Sequence, residues 1–189
     1  MSRSRAIGLA ACLLATTSAQ GVETRTIDVA REGDTFRARA VFLLDAPVAA
    51  VYAVITDFAA LDRISPHILE SRCLDDGGPG TLVRVVTRSC LAFFCRDVTT
   101  VERLHEQPPH TIESDVLPER SDLASGHTRW HLSRVQDQTQ LAWTTEFVPG
   151  FWVPPLLGTA AVRRALSRQL ADGAAGINRL ANERADGPE

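Results

Sequence analysis

A long amphipathic pattern closes the chain. Between Thr159 and about Glu183, apolar residues recur at intervals of three and four, which is the spacing along one face of an α-helix. These residues are Val162, Leu166, Leu170, Ala174, Ile177 and Ala181. Arg164, Arg168 and Arg179 fall on the opposite side. The pattern predicts one long helix with a single apolar face, and such a helix needs a broad apolar surface to lie on.

The chain before this helix alternates apolar and polar residues with the period of β-strands. The first alternating stretch covers residues 35–43. Two short helical patterns follow, one capped by Asp45 and one over residues 58–64. The remaining predicted strands cover residues 68–74, 81–89, 96–104, 110–117, 127–135 and 138–147.

This order of elements predicts an α+β fold. A curved antiparallel sheet of about six to seven strands wraps around the long C-terminal helix, with two short helices after the first strand. Because a helix and a curved sheet cannot touch everywhere, a cavity remains between them. Cavities of this kind usually hold apolar ligands.

The same elements resemble a known family. The likeness is carried by residues 45–61 (DAPVAAVYAVITDFAAL), 68–71 (ILES), 80–84 (GTLVR) and the closing helix, and it covers roughly residues 35–181. This pattern is similar to the START-like, or helix-grip, superfamily (SRPBCC), and within it to the polyketide cyclase and coenzyme-Q-binding START domain group. The resemblance implies a helix-grip fold with a cavity for lipids, quinones or aromatic polyketides, in carriers as well as in enzymes.

The start of the chain has the pattern of an export signal. Arg3 and Arg5 precede an apolar run over residues 6–15, and Thr17-Ser-Ala19 is a small-residue cleavage site. The run is too short to span a bilayer. We therefore expect a periplasmic or secreted protein cleaved near Ala19, although most familiar members of the family are cytosolic or mitochondrial. A lipoprotein attached through Cys12 is the less favoured alternative, because the apolar stretch before it is short.

The mature chain is expected to form one domain. Residues 20–34 are polar and predicted to be loose, residues 35–183 form the ligand-binding domain, and residues 184–189 form a polar tail. The net charge of −3 and the lack of a basic stripe argue against nucleic acid binding. All 20 basic residues other than histidine are arginine, which excludes lysine Schiff-base chemistry. We expect a monomer whose partner is a hydrophobic small molecule or lipid.

The histidine residues predict no metal site. His127 and His131 share one face of a predicted strand but lie roughly 13 Å apart, too far to bind one ion. His105 and His110 flank the turn at Pro108-Pro109, where they could approach each other. No nucleophile motif frames the serine and histidine residues. We expect no metal, no cofactor and no catalytic residue, and an enzyme is the less favoured interpretation.

The candidate cavity lining comes from the last two strands, the segment after them and the long helix. Strand parity places Trp130, Leu132, Trp143 and Phe147 on one wall. The complete candidate set is Trp130, Leu132, Trp143, Phe147, Phe151, Trp152, Arg163, Leu166 and Leu170. The mouth of the cavity is expected near Phe151, Trp152 and Arg163. Ordinary core packing is the alternative for each wall residue.

Arg163 and two glycines are unusual positions within the long helix. Arg163 falls inside the apolar arc, so either its stem packs while its guanidinium reaches water, or it meets the polar end of a ligand or a buried carboxylate. Gly173 and Gly176 each lower helix stability by about 1 kcal/mol relative to alanine. They either permit a close approach of the sheet or ligand, or simply weaken the helix.

Cys90 and Cys95 frame the segment Leu91-Ala-Phe-Phe94. In one continuous strand the two cysteines would point to opposite faces about 17 Å apart. A four-residue hairpin loop would instead place them opposite each other, near the distance that a disulfide requires. Export supplies an oxidising compartment. We therefore expect a disulfide between Cys90 and Cys95, with Cys73 left as a buried free thiol.

The stapled loop carries Leu91, Phe93 and Phe94 at a tip, where polar residues are usual. Three roles remain open for this tip. It folds over the cavity mouth as a lid, it makes transient contact with a membrane surface while cargo transfers, or both rings pack into the domain core.

The sequence is compatible with three functions. The first is an exported carrier of a lipid or isoprenoid quinone. The second is a cyclase or dehydrase that uses the same cavity, which would need an acid–base group there. The third is a ligand-free protein-interaction module with a filled core.

Overall fold

The computed structural model describes residues 21–75, 77–91, 94–153 and 159–186. They form one antiparallel sheet of eight strands in the order β1-β2-β8-β7-β6-β5-β4-β3. The strands are β1 (Glu23–Glu32), β2 (Thr35–Leu44), β3 (Ile68–Leu74), β4 (Thr81–Leu91), β5 (Phe94–Gln107), β6 (Thr111–Val116), β7 (Leu123–Val135) and β8 (Gln138–Pro149). The α-helices are α1 (Val48–Ile55) and α2 (Thr159–Asp186), and 3-10 helices cover Leu61–Arg63 and Pro118–Arg120. The predicted α+β helix-grip fold is confirmed, with a slightly higher strand count.

The additional strand is β1, so the prediction that residues 20–34 are loose is wrong. β1 pairs with β2 along its length, from Glu23↔Leu43 to Glu32↔Thr35. Gly33, at φ 60°, allows the tight turn between the two strands. Val29 is buried in the core, but most of the strand is polar. β1 is an edge strand held by main-chain hydrogen bonds to one neighbour, so it needs little apolar alternation.

The two short helices in the structure differ from the predicted ones. Asp45 does not cap α1, because the N-cap residue is Pro47 and no side chain caps the helix. The backbone N–H of Asp45 instead donates to Asn178 Oδ1 of α2, 2.7 Å away. The second helix is reduced to the 3-10 helix Leu61–Arg63. There the backbone N–H of Leu61 donates to Ser71 Oγ, at 2.9 Å, rather than to a preceding turn.

Two element boundaries also differ from the predicted ones. β7 begins at Leu123, four residues before the predicted strand over residues 127–135, because Leu123 already pairs with Pro149 of β8. α2 extends to Asp186, so the first residues of the predicted polar tail are helical. Arg184 donates to the carbonyl oxygen of Ala53 and to the carboxylate of Asp57, which fastens the end of α2 to the end of α1. Within the described ranges, neither helix is both long and apolar enough to cross a bilayer.

Candidate functional site

The interior between the sheet and α2 is filled at one end. Here inward-facing side chains of β2, β7 and β8 are fully buried, and α1 packs over β7 and β8. They include Phe42, Leu44, Leu132, Thr139 and Leu141. Leu170, Ala174 and Ile177 of α2 belong to the same core. Leu132 and Leu170, two of the candidate lining residues, therefore lie in the packed core.

Further along the same strands, the inward-facing side chains are only half-buried. Trp130 and Trp143 lie opposite each other on β7 and β8, with ring centroids 5.7 Å apart. Phe147 follows on β8 and stacks on the buried ring of Phe36, at 5.3 Å. Leu166 of α2 is also half-buried against this core. Because these side chains face the helix side of the sheet and still keep exposed surface, the interior is open to solvent at this end.

The distance between α2 and the sheet depends on Gly173. A Cβ at this position would lie 3.2 Å from Cη2 and Cζ3 of Trp143. The indole ring therefore occupies the space that a side chain at residue 173 would need. Its Nε1 is buried and has no hydrogen-bond partner in the described part of the chain. An unpaired buried N–H costs about 1–3 kcal/mol, so packing rather than hydrogen bonding holds this indole in place.

A line of polar side chains crosses the open part of the inner wall. Thr145 of β8 and Thr128 of β7 lie opposite each other and share a hydrogen bond of 2.8 Å. Thr128 pairs in turn with Ser114 of β6, whose exposed fraction is 1%. The Ser114 hydroxyl donates to Glu102 Oε2 on β5. Thr100 Oγ1 donates to Glu102 Oε1 at 2.7 Å. The wall thus contains a carboxylate that is held by two hydroxyl groups.

A second carboxylate, Glu106, pairs with Tyr52 of α1. Tyr52 Oη donates to Glu106 Oε2 at 2.7 Å. Burial, and then the hydrogen bond to Glu106, raises the pKa of Tyr52 above its ordinary value. The phenol therefore stays protonated at neutral pH, and it acts as a hydrogen-bond donor rather than as a base.

Phe151, one of the predicted mouth residues, lies beside the turn end of the β4–β5 hairpin. The guanidinium carbon of Arg96 lies 4.2 Å from the centroid of the Phe151 ring. Ser89 Oγ on the paired strand accepts a hydrogen bond from Gln169 of α2, at 3.3 Å. Trp152 follows Phe151 in the chain and is 74% exposed. Phe151 thus contacts the hairpin and Trp152 faces solvent, and a place for both at the mouth of a cavity stays a prediction.

Arg163 is not buried, although its position lies within the apolar arc of α2. Its side chain is exposed, whereas the adjacent Val162 is buried. The position in the apolar arc is therefore occupied by a side chain that reaches water, as the snorkelling alternative expects. A contact between Arg163 and a ligand stays a prediction.

Cys90 and Cys95 form the predicted disulfide, with α-carbons 4.0 Å apart. The predicted four-residue loop is wrong, because the ladder continues past the cysteines to the pair Leu91↔Phe94. The connection is therefore residues 92–93, which lie outside the described residues, as do the side chains of Leu91 and Phe94. The predicted roles of Leu91, Phe93 and Phe94 thus stay predictions. Cys73 is free but exposed rather than buried, because β3 is an edge strand of the sheet.

The described residues bring no three potential metal ligands together. His67 Nε2 pairs with Asp172 of α2 at 3.0 Å, and His127 Nδ1 pairs with Asp115 at 2.9 Å. His110 Nδ1 bonds to the carbonyl oxygen of Leu132, at 3.1 Å. These histidines therefore fasten neighbouring elements to one another.

Two clefts in the described part of the chain lie outside the space between sheet and α2. One, of about 220 Å³, is lined by Arg37, Ala38, Arg39, His127, Thr144, Thr145 and Glu146. The other, of about 580 Å³, lies between Val22 and the C-terminal half of α2. Neither includes a candidate lining residue, and charged or polar side chains dominate both.

Glu102 and the hydroxyl groups beside it were not among the residues predicted for the site. A signal was present, because Glu102 shares its strand parity with Leu104 and lies on the buried face of β5. A charged residue at such a position is uncommon. Thr128 and Thr145 could not have been paired from the sequence, because their contact depends on the register of two strands.

An eight-stranded sheet that grips one long helix around a partly open interior defines a START-like, helix-grip protein. The sequence profile of the family described as "Polyketide cyclase / dehydrase and lipid transport" matches residues 35–182. The chain therefore belongs to this family. No curated protein matches the sequence.

Solved structures share this fold at low sequence identity. The Zhui aromatase/cyclase from Streptomyces sp. R1128 is 18% identical, with a TM-score of 0.65 over 81% of this chain and 97% of that chain. A START superfamily protein from Mycobacterium smegmatis is 13% identical, with a TM-score of 0.62 over 78% and 98% of the two chains. The protein TTHA0849 from Thermus thermophilus is 15% identical, with a TM-score of 0.59 over 80% and 99%. At these identities the likeness shows the fold alone.

Proposed function

We propose that this chain is an exported protein that binds and carries a hydrophobic small molecule, a lipid or isoprenoid quinone, between its sheet and α2. The observation that carries the proposal is the half-burial of Trp130, Trp143 and Phe147 on the inner face of a sheet whose other end is fully packed. Covering such surface with an apolar molecule is favourable. The family description, which includes lipid transport, also supports the binding of a lipid-like molecule.

The export part of the proposal rests on residues 1–19, which lie outside the described residues. N-terminal sequencing of the mature protein is expected to begin near Gln20 or Gly21. An intact Met1 in a soluble cytosolic fraction would contradict export. A lipid-modified Cys12 would support the lipoprotein alternative instead.

A cyclase or dehydrase that works in the same interior is the second candidate. The observation that favours it is Glu102, because proton transfer to or from a substrate needs such a group in the binding site. A carrier returns its ligand unchanged, whereas an enzyme converts it. Organic extraction of the purified protein, identification of the bound molecule by mass spectrometry and its incubation with fresh protein separate the two candidates.

We further propose that the tip of the β4–β5 hairpin meets an apolar surface, either as a lid or on a membrane during transfer. The contacts of Arg96 with Phe151 and of Ser89 with Gln169 support this proposal, because they join the turn end of the hairpin to the segment after β8 and to α2. Packing of the tip into the domain core is the alternative. A charged substitution at the tip would lower the stability of the protein only if the tip is part of the core.

Titration with a neutral apolar dye, N-phenyl-1-naphthylamine, tests the binding proposal. The wild-type protein is expected to give a saturable rise in fluorescence. Leu166→Trp fills the space beside the half-buried Leu166 and is expected to weaken binding at least about tenfold, while the protein stays folded because a void tolerates added volume. Arg164→Trp, on the exposed side of the same helix, is the matched control and should leave binding unchanged.

Three other results would contradict the binding proposal. Unchanged dye binding in a folded Leu166→Trp variant would place the cavity elsewhere. Unfolding of Leu166→Trp would show that the position belongs to a tight core. Lack of dye uptake by the wild type would favour the ligand-free interaction module.

A further inference from the structure

We propose that Glu102 is the polar anchor of the bound molecule, and that this molecule carries a hydroxyl group, phenolic or alcoholic, at the end that reaches it. The proposal rests on the proposed binding of an apolar molecule between the sheet and α2. It adds the position of the ligand's polar end and the chemistry that recognises it.

Glu102 lies on the inner face of the sheet among buried neighbours. It pairs with Val83 of β4, and Leu104 is the next residue on the same face of β5. Both apolar neighbours are almost fully buried, and Thr100 on the other side is 9% exposed. Glu102 itself is half-buried. Because Glu102 lies on the inner face of the sheet, the accessible part of its side chain faces the interior.

The carboxylate of Glu102 has unused hydrogen-bonding capacity. A carboxylate accepts about four hydrogen bonds, and the described residues supply two, from Thr100 and Ser114. Both donors are neutral hydroxyl groups. In the described part of the chain, none of the ion pairs includes Glu102. A bound ligand would displace the water that still reaches this carboxylate, which is unfavourable unless the ligand itself supplies a donor.

The charge of the site selects the ligand's polar group. An anionic head group would be repelled by the carboxylate, since like charges interact unfavourably at short range. A hydroxyl donates one hydrogen bond and remains neutral. Its transfer into an apolar interior is much less costly than the transfer of an ammonium group.

The aromatic part of the wall lies within reach of this anchor. Phe147 of β8 pairs with Gly126 of β7, and Val116 of β6 pairs with Glu102. A Cβ on Gly126 would lie 2.6 Å from a methyl group of Val116, so the four residues form one row across the sheet. Phe147 and Glu102 are thus three strand spacings, or about 14 Å, apart along the curve. One molecule can cover the aromatic side and still reach the carboxylate.

Two probes with the same aromatic body test the anchor. 2-Naphthol carries a hydroxyl donor, and 2-methoxynaphthalene does not. The wild-type protein is expected to bind 2-naphthol at least about tenfold more tightly, the effect typical of one hydrogen bond to a charged acceptor. In Glu102→Gln this advantage should fall below about threefold, while the affinity for 2-methoxynaphthalene is unchanged. Glu113→Gln, which alters a carboxylate on the opposite face of β6 that pairs with Arg129, should keep the full advantage.

The outcomes separate the anchor from the proposed function. If the wild type binds neither probe, the proposed function fails and the anchor fails with it. If the wild type binds both probes equally, or if Glu102→Gln keeps the advantage, the anchor alone is overturned. Tighter binding of the cation 1-naphthylmethylammonium than of 2-naphthol would overturn the choice of a hydroxyl. The wild-type comparison needs no variant, so it decides the proposal even if Glu102→Gln does not fold.

Discussion

The backbone of Gly176 lies directly against the carbonyl oxygen of Ile64. A Cβ at residue 176 would be 1.7 Å from this oxygen, far closer than van der Waals contact allows. The contact joins α2 to the segment that follows the 3-10 helix Leu61–Arg63. Arg179 supports the same junction, because its guanidinium donates to the carbonyl oxygen of Arg63 at 2.9 Å. Of the two explanations for the helical glycines, close approach is therefore the one that applies at residue 176.

Gly176→Ala is expected to destabilise the protein. Alanine favours the helix by about 1 kcal/mol, but the clash with backbone atoms forces a shift whose cost is typically about 1–3 kcal/mol or more. Because the clash is with backbone atoms, we expect a cost near the upper end of this range and a net loss of about 2 kcal/mol. At roughly 2–4 °C per kcal/mol for a domain of this size, this lowers the melting temperature by about 4–8 °C. Gly173→Ala is the control and should cost less, because its contact is with ring atoms of Trp143 at 3.2 Å. A higher melting temperature for Gly176→Ala would refute the close approach.

The disulfide predicts the number of free thiols. Under denaturing, non-reducing conditions a mature chain cleaved near Ala19 should contain one reactive cysteine, Cys73, and reduction should raise the number to three. Because Cys73 is exposed, it should also react in the folded protein. Three reactive thiols before reduction would exclude the bond between Cys90 and Cys95.

The hydrophobic pattern of the sequence was sufficient to predict the long helix and most of the strands. The apolar residues from Val162 to Ala181 recur with the period of a helix, and the residues of β4 to β8 alternate as in strands. These patterns predicted the elements because the helix and each strand bury one face against the same core. β1 could not be predicted in this way. Ile27 and Val29 pack against the core, but the other residues of β1 are mostly polar, and the main-chain hydrogen bonds that pair it with β2 carry no side-chain signature.

The candidate site was predicted only in part. Trp130, Trp143 and Phe147 do share one wall, as strand parity indicated. Leu132 has the same parity but lies in the packed core, because α1 covers that end of the sheet. Strand parity predicts which face of the sheet a side chain is on, but not which element packs against that face. The hydroxyl pair Thr128–Thr145 depends on strand register, and single strands do not specify register.

The ion pair between Arg37 and Glu146 predicts a pH dependence of stability. A hydrogen bond of 2.6 Å from Arg37 lowers the pKa of Glu146 below its ordinary value of 4.5. A carboxylate with a lowered pKa adds stability above its ordinary pKa, and this stability is lost as the pH falls through the lower folded-state value. The melting temperature of the wild type should therefore exceed that of Glu146→Gln near pH 7, and the difference should shrink steadily below about pH 4.5.

Glu119→Gln is the control for this dependence, since Glu119 is exposed and forms no ion pair in the described part of the chain. Its melting temperature should follow that of the wild type at every pH. A difference between wild type and Glu146→Gln that grows as the pH falls would contradict the assignment.

The hairpin tip can be tested by adding charge. The double variant Phe93→Asp, Phe94→Asp is expected to reduce association with phosphatidylcholine–phosphatidylglycerol vesicles, or transfer of ligand to them, with little change in melting temperature. Aspartate at a surface tip remains hydrated, whereas aspartate in a core would be strongly destabilising. A large loss of stability would show that the rings belong to the core, and unchanged association and transfer would exclude contact between the tip and an apolar surface.

Nuclear magnetic resonance of the three tryptophan indoles tests most directly whether the space between the sheet and α2 binds an apolar molecule. The signals of Trp130, Trp143 and Trp152 can be assigned by single replacement with phenylalanine. During titration with N-phenyl-1-naphthylamine, we predict that the indole N–H signals of Trp130 and Trp143 shift and saturate at the concentration that saturates dye fluorescence. Trp152, which is 74% exposed, should shift less. Saturation of the dye with shifts confined to Trp152, or with no shift of Trp130 and Trp143, would contradict binding between the sheet and α2.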